Sequence, residues 1–285
     1  FGVVNRVMTG GPESVVFSDD RLASGGQGTV SGNLPMDYRA PMTKLNAYVG
    51  TFRVEDPKTF AQVAFGEALE RRGIEVSSSS TTSGDLTPVA EFLSPPYFEH
   101  ARLVLKVSLN LGANLSLSLF GLEKGETTIA GALAAERKAL IEDFGLRGDQ
   151  FDFPTNGSGT PDSQASPRAL VTLLCQLAKS PVGADFEAAL PIMGVDGSLA
   201  TSGKTLPGRG HVFAKPGTTV SPGPDGQTLQ LKAQNLAGYI HTKSGRRVAY
   251  ALMVNDAGAV NNIEADVGQV FEDEATISSL IYETL

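Results

Sequence analysis

The sequence has few of the residues that build disulfides and metal sites. It contains one cysteine, Cys175, so no disulfide can form within the chain. Because Cys175 lies in an apolar run, we expect a small buried side chain and not a reactive thiol. The three histidines His100, His211 and His241 are far apart in the sequence. This spacing does not predict a zinc site, and nothing else in the sequence indicates a cofactor.

Basic clusters and long apolar runs are also missing. The chain has 23 Lys and Arg against 31 Asp and Glu, which gives a net charge of −8. This balance argues against nucleic acid as the main partner, because a polyanion is bound through clustered positive charge. No apolar stretch approaches the roughly 18 residues of a transmembrane helix. The composition therefore predicts an ordinary globular protein with no transmembrane segment.

The length and the order of segments predict an α+β protein with two domains. A chain of 285 residues can hold two domains, since one domain has about 100–200 residues. Up to Val54, short apolar runs alternate with turn residues, as is typical of short strands. Residues 97–184 have helical periodicity, and the final third returns to strands before a closing helix over 265–284. This order favours an antiparallel sheet covered by helices.

Local signals predict the limits of several elements. Asp56 can cap a helix that has Pro57 in its first turn and Gly73 beyond its end. The acidic cluster 272–274 is interpreted as a solvated helix face. Further predicted elements are helices over 127–144 and from Ser166 onward, a strand over 211–215, and a hairpin of 235–241 with 247–254.

Two short motifs far apart in the chain carry the functional signal. They are Ser108-Leu109-Asn110 and Lys215-Pro216-Gly217-Thr218. Taken alone each is weak, because Ser31-Gly32-Asn33 and Lys243-Ser244-Gly245 match the same patterns. In penicillin-recognising serine enzymes such motifs accompany Ser-x-x-Lys, which supplies the nucleophile. Ser-x-x-Lys does not occur in this chain.

The surroundings of the two motifs are more specific than the motifs themselves. The segment Val104-Leu105-Lys106-Val107-Ser108-Leu109-Asn110-Leu111 resembles the D-Ala-D-Ala carboxypeptidase family of low-molecular-mass penicillin-binding proteins (peptidase family S13). Further blocks that resemble this family, in its order, are Val54–Pro57, Asn156–Gly159, Ser166–Leu170, Gly194–Gly197, Ala214–Thr218 and Leu236–Tyr239. The resemblance therefore covers nearly the whole chain.

The resemblance implies a fold and an acyl-transfer chemistry. In this family a serine attacks the carbonyl of a D-Ala-D-Ala bond, water resolves the acyl-enzyme, and penicillins acylate the same serine. By resemblance, Ser108 passes a proton toward the leaving amine, and Asn110 holds the substrate backbone. Lys215 at the end of a strand adds positive charge near the substrate carboxylate. Gly217 and Thr218 bind substrate, with the Thr218 N–H as oxyanion donor and its hydroxyl near the carboxylate.

The chain departs from the family pattern at Pro216, where threonine is usual. Proline has neither a hydroxyl nor an N–H, so one carboxylate contact is lost, although an edge strand tolerates it. The loop after Thr219 is longer than usual for the family. Asn156-Gly157-Ser158-Gly159 is interpreted as a tight turn and not as a nucleophile loop.

We expect residues 1–96 to be the remaining part of a strand-rich inserted domain and 97–285 to be most of a transpeptidase-like domain. In the family, the nucleophile motif and the first strands of the catalytic sheet precede the insert. The chain starts at Phe1 without a signal peptide. We therefore favour the C-terminal portion of a longer enzyme, inactive alone, whose missing segment is upstream or stays bound as a separate chain.

Three functions remain open at this point. The first is a serine D-Ala-D-Ala carboxypeptidase or endopeptidase that acts on peptidoglycan stem peptides, binds β-lactams and works outside the cytoplasm. The second is an inactive peptidoglycan-binding or scaffold protein on the same fold, which the absent nucleophile and Pro216 favour. The third is an esterase or amidase on the same scaffold.

Overall fold

The chain forms two compact units, Phe1–Val89 and Ala90–Leu285. The computed structural model describes residues 2–11, 15–18, 28–39, 54, 56–75, 88, 90–155, 161–223 and 228–285. The predicted turn Asn156–Gly159 lies outside these residues.

In its described residues, the first unit contains a small sheet and one helix. Strand β3 (Gly28–Leu34) pairs in parallel with β1 (Val3–Thr9) and antiparallel with β2 (Val15–Ser18). Helix α1 (Pro57–Arg71) begins where the sequence predicted, because the Asp56 carboxylate accepts hydrogen bonds from both the N–H and the hydroxyl of Thr59. These bonds hold the pKa of Asp56 below its usual value. The predicted capping of this helix is confirmed.

Five α-helices are described in the first half of the second unit, over residues 90–155 and 161–189. They are α2 (Tyr97–Val107), α3 (Asn110–Glu123), α4 (Ile129–Glu142), α5 (Pro167–Leu177) and α6 (Gly183–Ala189). The side chains of Thr128 and Ser166 cap α4 and α5 by accepting a backbone N–H three residues on. Two strands of two residues each, β4 (Phe151–Asp152) and β5 (Gln164–Ala165), pair with each other between α4 and α5.

The second half of this unit is an antiparallel sheet of three strands in the order β6-β7-β8. The strands are β6 (Val212–Pro222), β7 (Leu229–His241) and β8 (Arg247–Val260). The chain then passes through a short π-helical turn, Ile263–Val267, into the closing helix α7 (Gly268–Thr284). The predicted hairpin is confirmed, with His241 paired to Arg247. The α+β fold with an antiparallel sheet and covering helices is likewise confirmed.

Helices cover both faces of this sheet. On one face α7 packs through Ala275 on Val212, Ala214, Leu236 and Ile240. On the other face α5 packs through Leu174 on Tyr239, whose hydroxyl donates to the Leu174 carbonyl at 2.7 Å. Because side chains alternate along a strand, neighbouring residues of β6 belong to different faces. None of the helices in the described ranges is both long and apolar enough to cross a membrane.

Two sequence predictions about burial are wrong. Cys175 is exposed, because α5 turns the preceding Leu174 toward the sheet and the next side chain lies about 100° around the helix. Glu274 is buried, 1% exposed, although Glu272 and Asp273 of the same cluster are solvated as predicted. Glu274 lies one turn before the buried Ser278, on the face of α7 that meets the sheet.

Candidate active site

Ser108 lies at a sharp reversal between α2 and α3. It has a left-handed backbone (φ 57°, ψ 50°), and its N–H bonds to the Val104 carbonyl at the end of α2. A serine in this region of φ/ψ space is uncommon and is retained where the surroundings determine it. Leu109 and then Asn110, the exposed first residue of α3, follow directly. The turn therefore presents Ser108 and Asn110 at the junction of two helices.

An ion pair of Lys106, two residues before Ser108, anchors α2. The Lys106 ammonium donates to both carboxylate oxygens of Asp196, at 2.8 and 2.6 Å, and to the Leu190 carbonyl at 2.6 Å. Asp196 also accepts the N–H of Ile192. Gly197 has φ +59°, and a Cβ there would lie 2.7 Å from the Lys106 carbonyl oxygen. The close approach of these two segments positions the Ser108 turn.

Lys215 lies inside β6 and not at its end, where the sequence predicted it. The strand continues to Pro222, beyond the predicted stop at residue 215. The neighbouring Ala214 N–H points away from β7 and bonds to the Pro191 carbonyl, at the outer edge of the sheet. Since backbone direction alternates, Pro216 also has its missing N–H at this edge. Pro216 therefore removes no hydrogen bond between β6 and β7.

The Lys215 ammonium brings the two motifs together. It donates to Ser108 Oγ at 2.9 Å, across 107 residues of sequence, and to the Pro216 carbonyl at 2.6 Å. Burial lowers the pKa of the Lys215 amine to about 8. The two catalytic motifs predicted from sequence thus meet at one place in the structure.

The backbone of Thr218 is also directed to the outer edge of the sheet. It lies four residues beyond Ala214, so its N–H has the same direction as that of Ala214 and faces away from β7. Gly217 is exposed, and a Cβ placed on it would meet no atom within 4 Å. This edge therefore has space and an outward N–H beside Lys215.

The Thr218 side chain takes a different direction. Its hydroxyl donates to Gln234 Oε1 at 2.6 Å, and Gln234 Nε2 donates to Glu274 Oε2 at 3.0 Å. Gln234 and Glu274 are both buried. Burial raises the pKa of the Glu274 carboxyl to about 7. The motif is therefore connected to α7 through a buried polar chain.

Sequence reasoning missed Lys106, Asp196, Gln234 and Glu274. A weak signal existed for Lys106, which is a single charge in an apolar helical stretch directly before the motif. Asp196 lies in the family-like block Gly194–Gly197, which predicted no role for its carboxylate. In the described part of the chain no group of three or more His, Cys, Asp and Glu could hold a metal ion.

Comparison with family models decides the assignment. The model of the D-Ala-D-Ala carboxypeptidase 3 (S13) family matches residues 10–274. The chain belongs to this family. A search of curated proteins found no match. The family resemblance inferred from the motif blocks is confirmed.

Solved structures agree with this fold. Penicillin-binding protein 4 (dacB) from Haemophilus influenzae matches at a TM-score of 0.72 and 20% identity, over 99% of this chain and 60% of that chain. The same protein in complex with a β-lactam matches at 0.69 and 20% identity, over 99% and 63%. The chain thus spans about three fifths of the length of the solved penicillin-binding protein 4.

The anchor at Lys106 leads to a prediction about stability. Replacing Lys106 with methionine leaves the partly buried Asp196 without its cation, and we expect the free energy of unfolding to fall by about 2 kcal/mol. The expected loss of stability is smaller than for a fully buried ion pair, because the Asp196 side chain is 39% exposed. Urea denaturation measures the change.

A matched control is Lys138→Met, which removes the exposed pair of Lys138 with Glu142. This control should change the free energy by less than about 0.5 kcal/mol. Equal losses in the two variants would show that Lys106 does not anchor the turn.

Proposed function

We propose that the protein is a serine-type D-Ala-D-Ala carboxypeptidase or endopeptidase that acts on peptidoglycan peptides through an acyl-enzyme. The observation that carries this proposal is the hydrogen bond from the Lys215 ammonium to Ser108 Oγ, which joins the two motifs of a family member. The Lys215 ammonium lies beside the Ser108 hydroxyl, which can transfer a proton. This arrangement fits an acyl-transfer reaction, because a serine nucleophile is weak and needs neighbouring groups that move its proton.

The residues have separate roles in this mechanism. A serine hydroxyl attacks the peptide carbonyl and loses its proton to the lysine amine of Ser-x-x-Lys. The Thr218 N–H stabilises the oxyanion, while Asn110 holds the peptide backbone. Ser108 passes the proton to the leaving amine as the C–N bond breaks, and Lys215 keeps the local charge positive. Water then hydrolyses the ester and regenerates the serine.

We place the nucleophile in a segment upstream of Phe1, and we expect residues 1–285 alone to be inactive. A row of exposed leucines along α3 supports a packing partner on this side: Leu111 (78% exposed), Leu115 (49%), Leu119 (45%) and Leu122 (60%). These side chains recur every three or four residues on one face of the helix. The missing segment, continuous or bound as a separate chain, would cover them and bring its serine to Ser108.

The domain division and the location follow from the same proposal. Residues 1–96 are then part of an inserted domain and 97–285 most of the transpeptidase-like domain. The partners are peptidoglycan stem peptides and β-lactams, so the protein acts outside the cytoplasm. H. influenzae penicillin-binding protein 4 has been solved in complex with a β-lactam, which supports this ligand class.

Mass-mapped labelling with a reporter penicillin tests the proposal on protein made from its complete coding sequence. We expect a covalent adduct on a serine upstream of Phe1, and no adduct on residues 1–285 alone. A folded full-length protein without an adduct would refute the acyl-enzyme.

A second candidate is an inactive peptidoglycan-binding or scaffold protein. Pro216 favours it, because this residue removes both a hydroxyl and an N–H at the open edge of β6. Binding of peptidoglycan peptides by the folded protein, without penicillin labelling or ester turnover, would identify this function. Turnover of small esters without penicillin binding would instead identify an esterase.

Pro216 also provides a prediction within the first candidate. We expect Pro216→Thr to raise the acylation rate by a penicillin about tenfold, because an N–H at the outer edge of β6 becomes available to the penicillin carboxylate. The rate of adduct formation measures this. Pro222→Thr, at the far end of the same strand, is the control and should leave the rate unchanged.

A further inference from the structure

The outer edge of β6 continues as regular strand beyond the predicted motif. The carbonyl of His211, just before β6, accepts an N–H from β7, and the N–H of Gly223, just after β6, donates to the residue that precedes β7. The register shift between these strands places the extra residue on β7, so the alternation along β6 continues to its end. Thr218 and Val220 therefore direct their N–H and carbonyl groups outward, as Ala214 does.

These outward groups are available to a ligand and are held in place. No hydrogen bond within the described part of the chain uses the N–H of Thr218 or the N–H and carbonyl of Val220. The Val220 side chain packs against Leu231 and Val260 on the sheet. Because this packing fixes the strand, the edge is already extended before anything binds to it.

Proline at both ends of this free edge limits what can pair with it. Pro216 and Pro222 have no N–H, so between them Thr218 and Val220 are the residues that offer both a donor and an acceptor outward. A long strand of another protein would meet a gap at each proline, which is one way in which edge strands resist such pairing. A short extended peptide needs only the two residues between the prolines. The edge therefore fits a peptide better than a second sheet.

The proposed mechanism gives the peptide a direction along this edge. The leaving residue lies toward Lys215, where Ser108 protonates its amine, and the scissile carbonyl lies at the Thr218 N–H. The part of the peptide before the scissile bond then runs toward Val220, antiparallel to β6. Two residues advance about 7 Å on either strand. The residue opposite Val220 is therefore the one two positions before the residue that carries the scissile carbonyl.

We propose that the free edge of β6 at Val220 is an additional substrate subsite, which pairs with the peptide backbone two residues before the scissile carbonyl and makes the protein prefer long peptides to short ones. This inference rests on the proposed function, whose cleft it extends along β6. Val220 contributes its backbone N–H and carbonyl, so the length of the peptide matters at this subsite more than its side chains.

A series of synthetic peptides tests the proposal on the full-length protein. The probes are acetyl-D-Ala-D-Ala and acetyl-L-Ala-L-Ala-D-Ala-D-Ala, and we expect kcat/KM to be at least about tenfold higher for the longer peptide. N-methylation of its first L-Ala removes the N–H that faces the Val220 carbonyl and should lower kcat/KM about fivefold, the value of one hydrogen bond of ordinary strength. N-methylation of the second L-Ala, whose N–H faces away from β6, is the control and should change the value less than about twofold. Equal values for the short and long peptides, or equal effects of the two methylations, would overturn the proposal.

Substitution of Val220 tests the same contact from the side of the protein. Val220→Pro removes the N–H from an edge strand that tolerates proline. It should lower kcat/KM for the long peptide about fivefold or more and leave the short peptide within about twofold, whereas Val220→Ile should match the wild type. Losses of equal size on both peptides would show a merely structural effect and refute the subsite. A wild-type dimer that Val220→Pro dissociates, with an unchanged ratio of the two peptides, would identify a second copy of the chain as the occupant instead.

A binding measurement separates this inference from the proposed activity. Absence of hydrolysis of both peptides and of penicillin labelling would refute the proposed enzyme. Fluorescence anisotropy of a tagged long peptide would then still test the edge, because the folded wild type should bind it about fivefold more tightly than Val220→Pro. Equal affinities of these two proteins would count against the subsite whether or not the protein is an enzyme.

Discussion

Replacement of Lys215 with methionine is expected to lower the rate of penicillin acylation at least about 100-fold. The ammonium donates to Ser108 Oγ and to the Pro216 carbonyl, and it is the cation that joins the two motifs. Loss of one such preorganised donor costs a factor of about 100–1,000 in comparable sites. The measurement is the second-order rate of adduct formation on full-length protein.

Lys243→Met is the matched control, because Lys243 begins Lys243-Ser244-Gly245, which matches the same motif pattern as Lys215-Pro216-Gly217 but lies exposed in a turn. The acylation rate of this variant should equal that of the wild type.

Burial also holds the pKa of Lys215 at about 8. Since the amine loses its charge as pH rises through that value, acylation should fall above about pH 8, whereas an exposed lysine would remain charged to about pH 10. Equal rates for the Lys215 and Lys243 variants would contradict the role of Lys215.

Gly238→Ala is expected to destabilise the second unit by about 3 kcal/mol or more, because the sheet has no room for a methyl group there. A Cβ on Gly238 would lie 2.0 Å from the Phe213 carbonyl oxygen and 2.6 Å from Ala214 Cα. Both are backbone atoms of β6, which cannot move aside without breaking its pairing with β7. Because Lys215 follows Ala214 directly, the same shift would displace the ammonium from Ser108. Urea denaturation and the acylation rate measure the two effects.

Gly268→Ala is the control for this substitution. A Cβ at Gly268 meets no atom within 4 Å, and the residue opens α7. Alanine favours the helix, so this variant should be as stable as the wild type or more stable by up to about 1 kcal/mol. A Gly238→Ala protein as stable as the control would show that β6 and β7 are not in close contact at this point.

Local sequence signals predicted the elements whose limits depend on neighbouring residues. Asp56 with Pro57, and Ser166 with Pro167, begin α1 and α5 as predicted, since a cap needs only a side chain and an N–H three residues on. The hairpin of β7 and β8 was also predicted from neighbouring residues, because two apolar runs flank a short turn. The strand β6 was predicted too short because Pro216 and Gly217 are strand breakers in general.

The sequence by itself determined the α+β class, because periodicity and the order of segments carry this information. It also determined the family, through the two motifs and the further blocks that resemble it. The tertiary structure alone decided that Lys215 meets Ser108, that Asp196 anchors Lys106, and that Glu274 is buried behind Gln234. These contacts join residues far apart in the chain. From the sequence alone, an acidic side chain on a helix is predicted to be exposed to solvent, because the sheet that covers it is not yet known. The direction of each side chain at β6 depends on the pairing of the strands, which no short stretch of sequence contains.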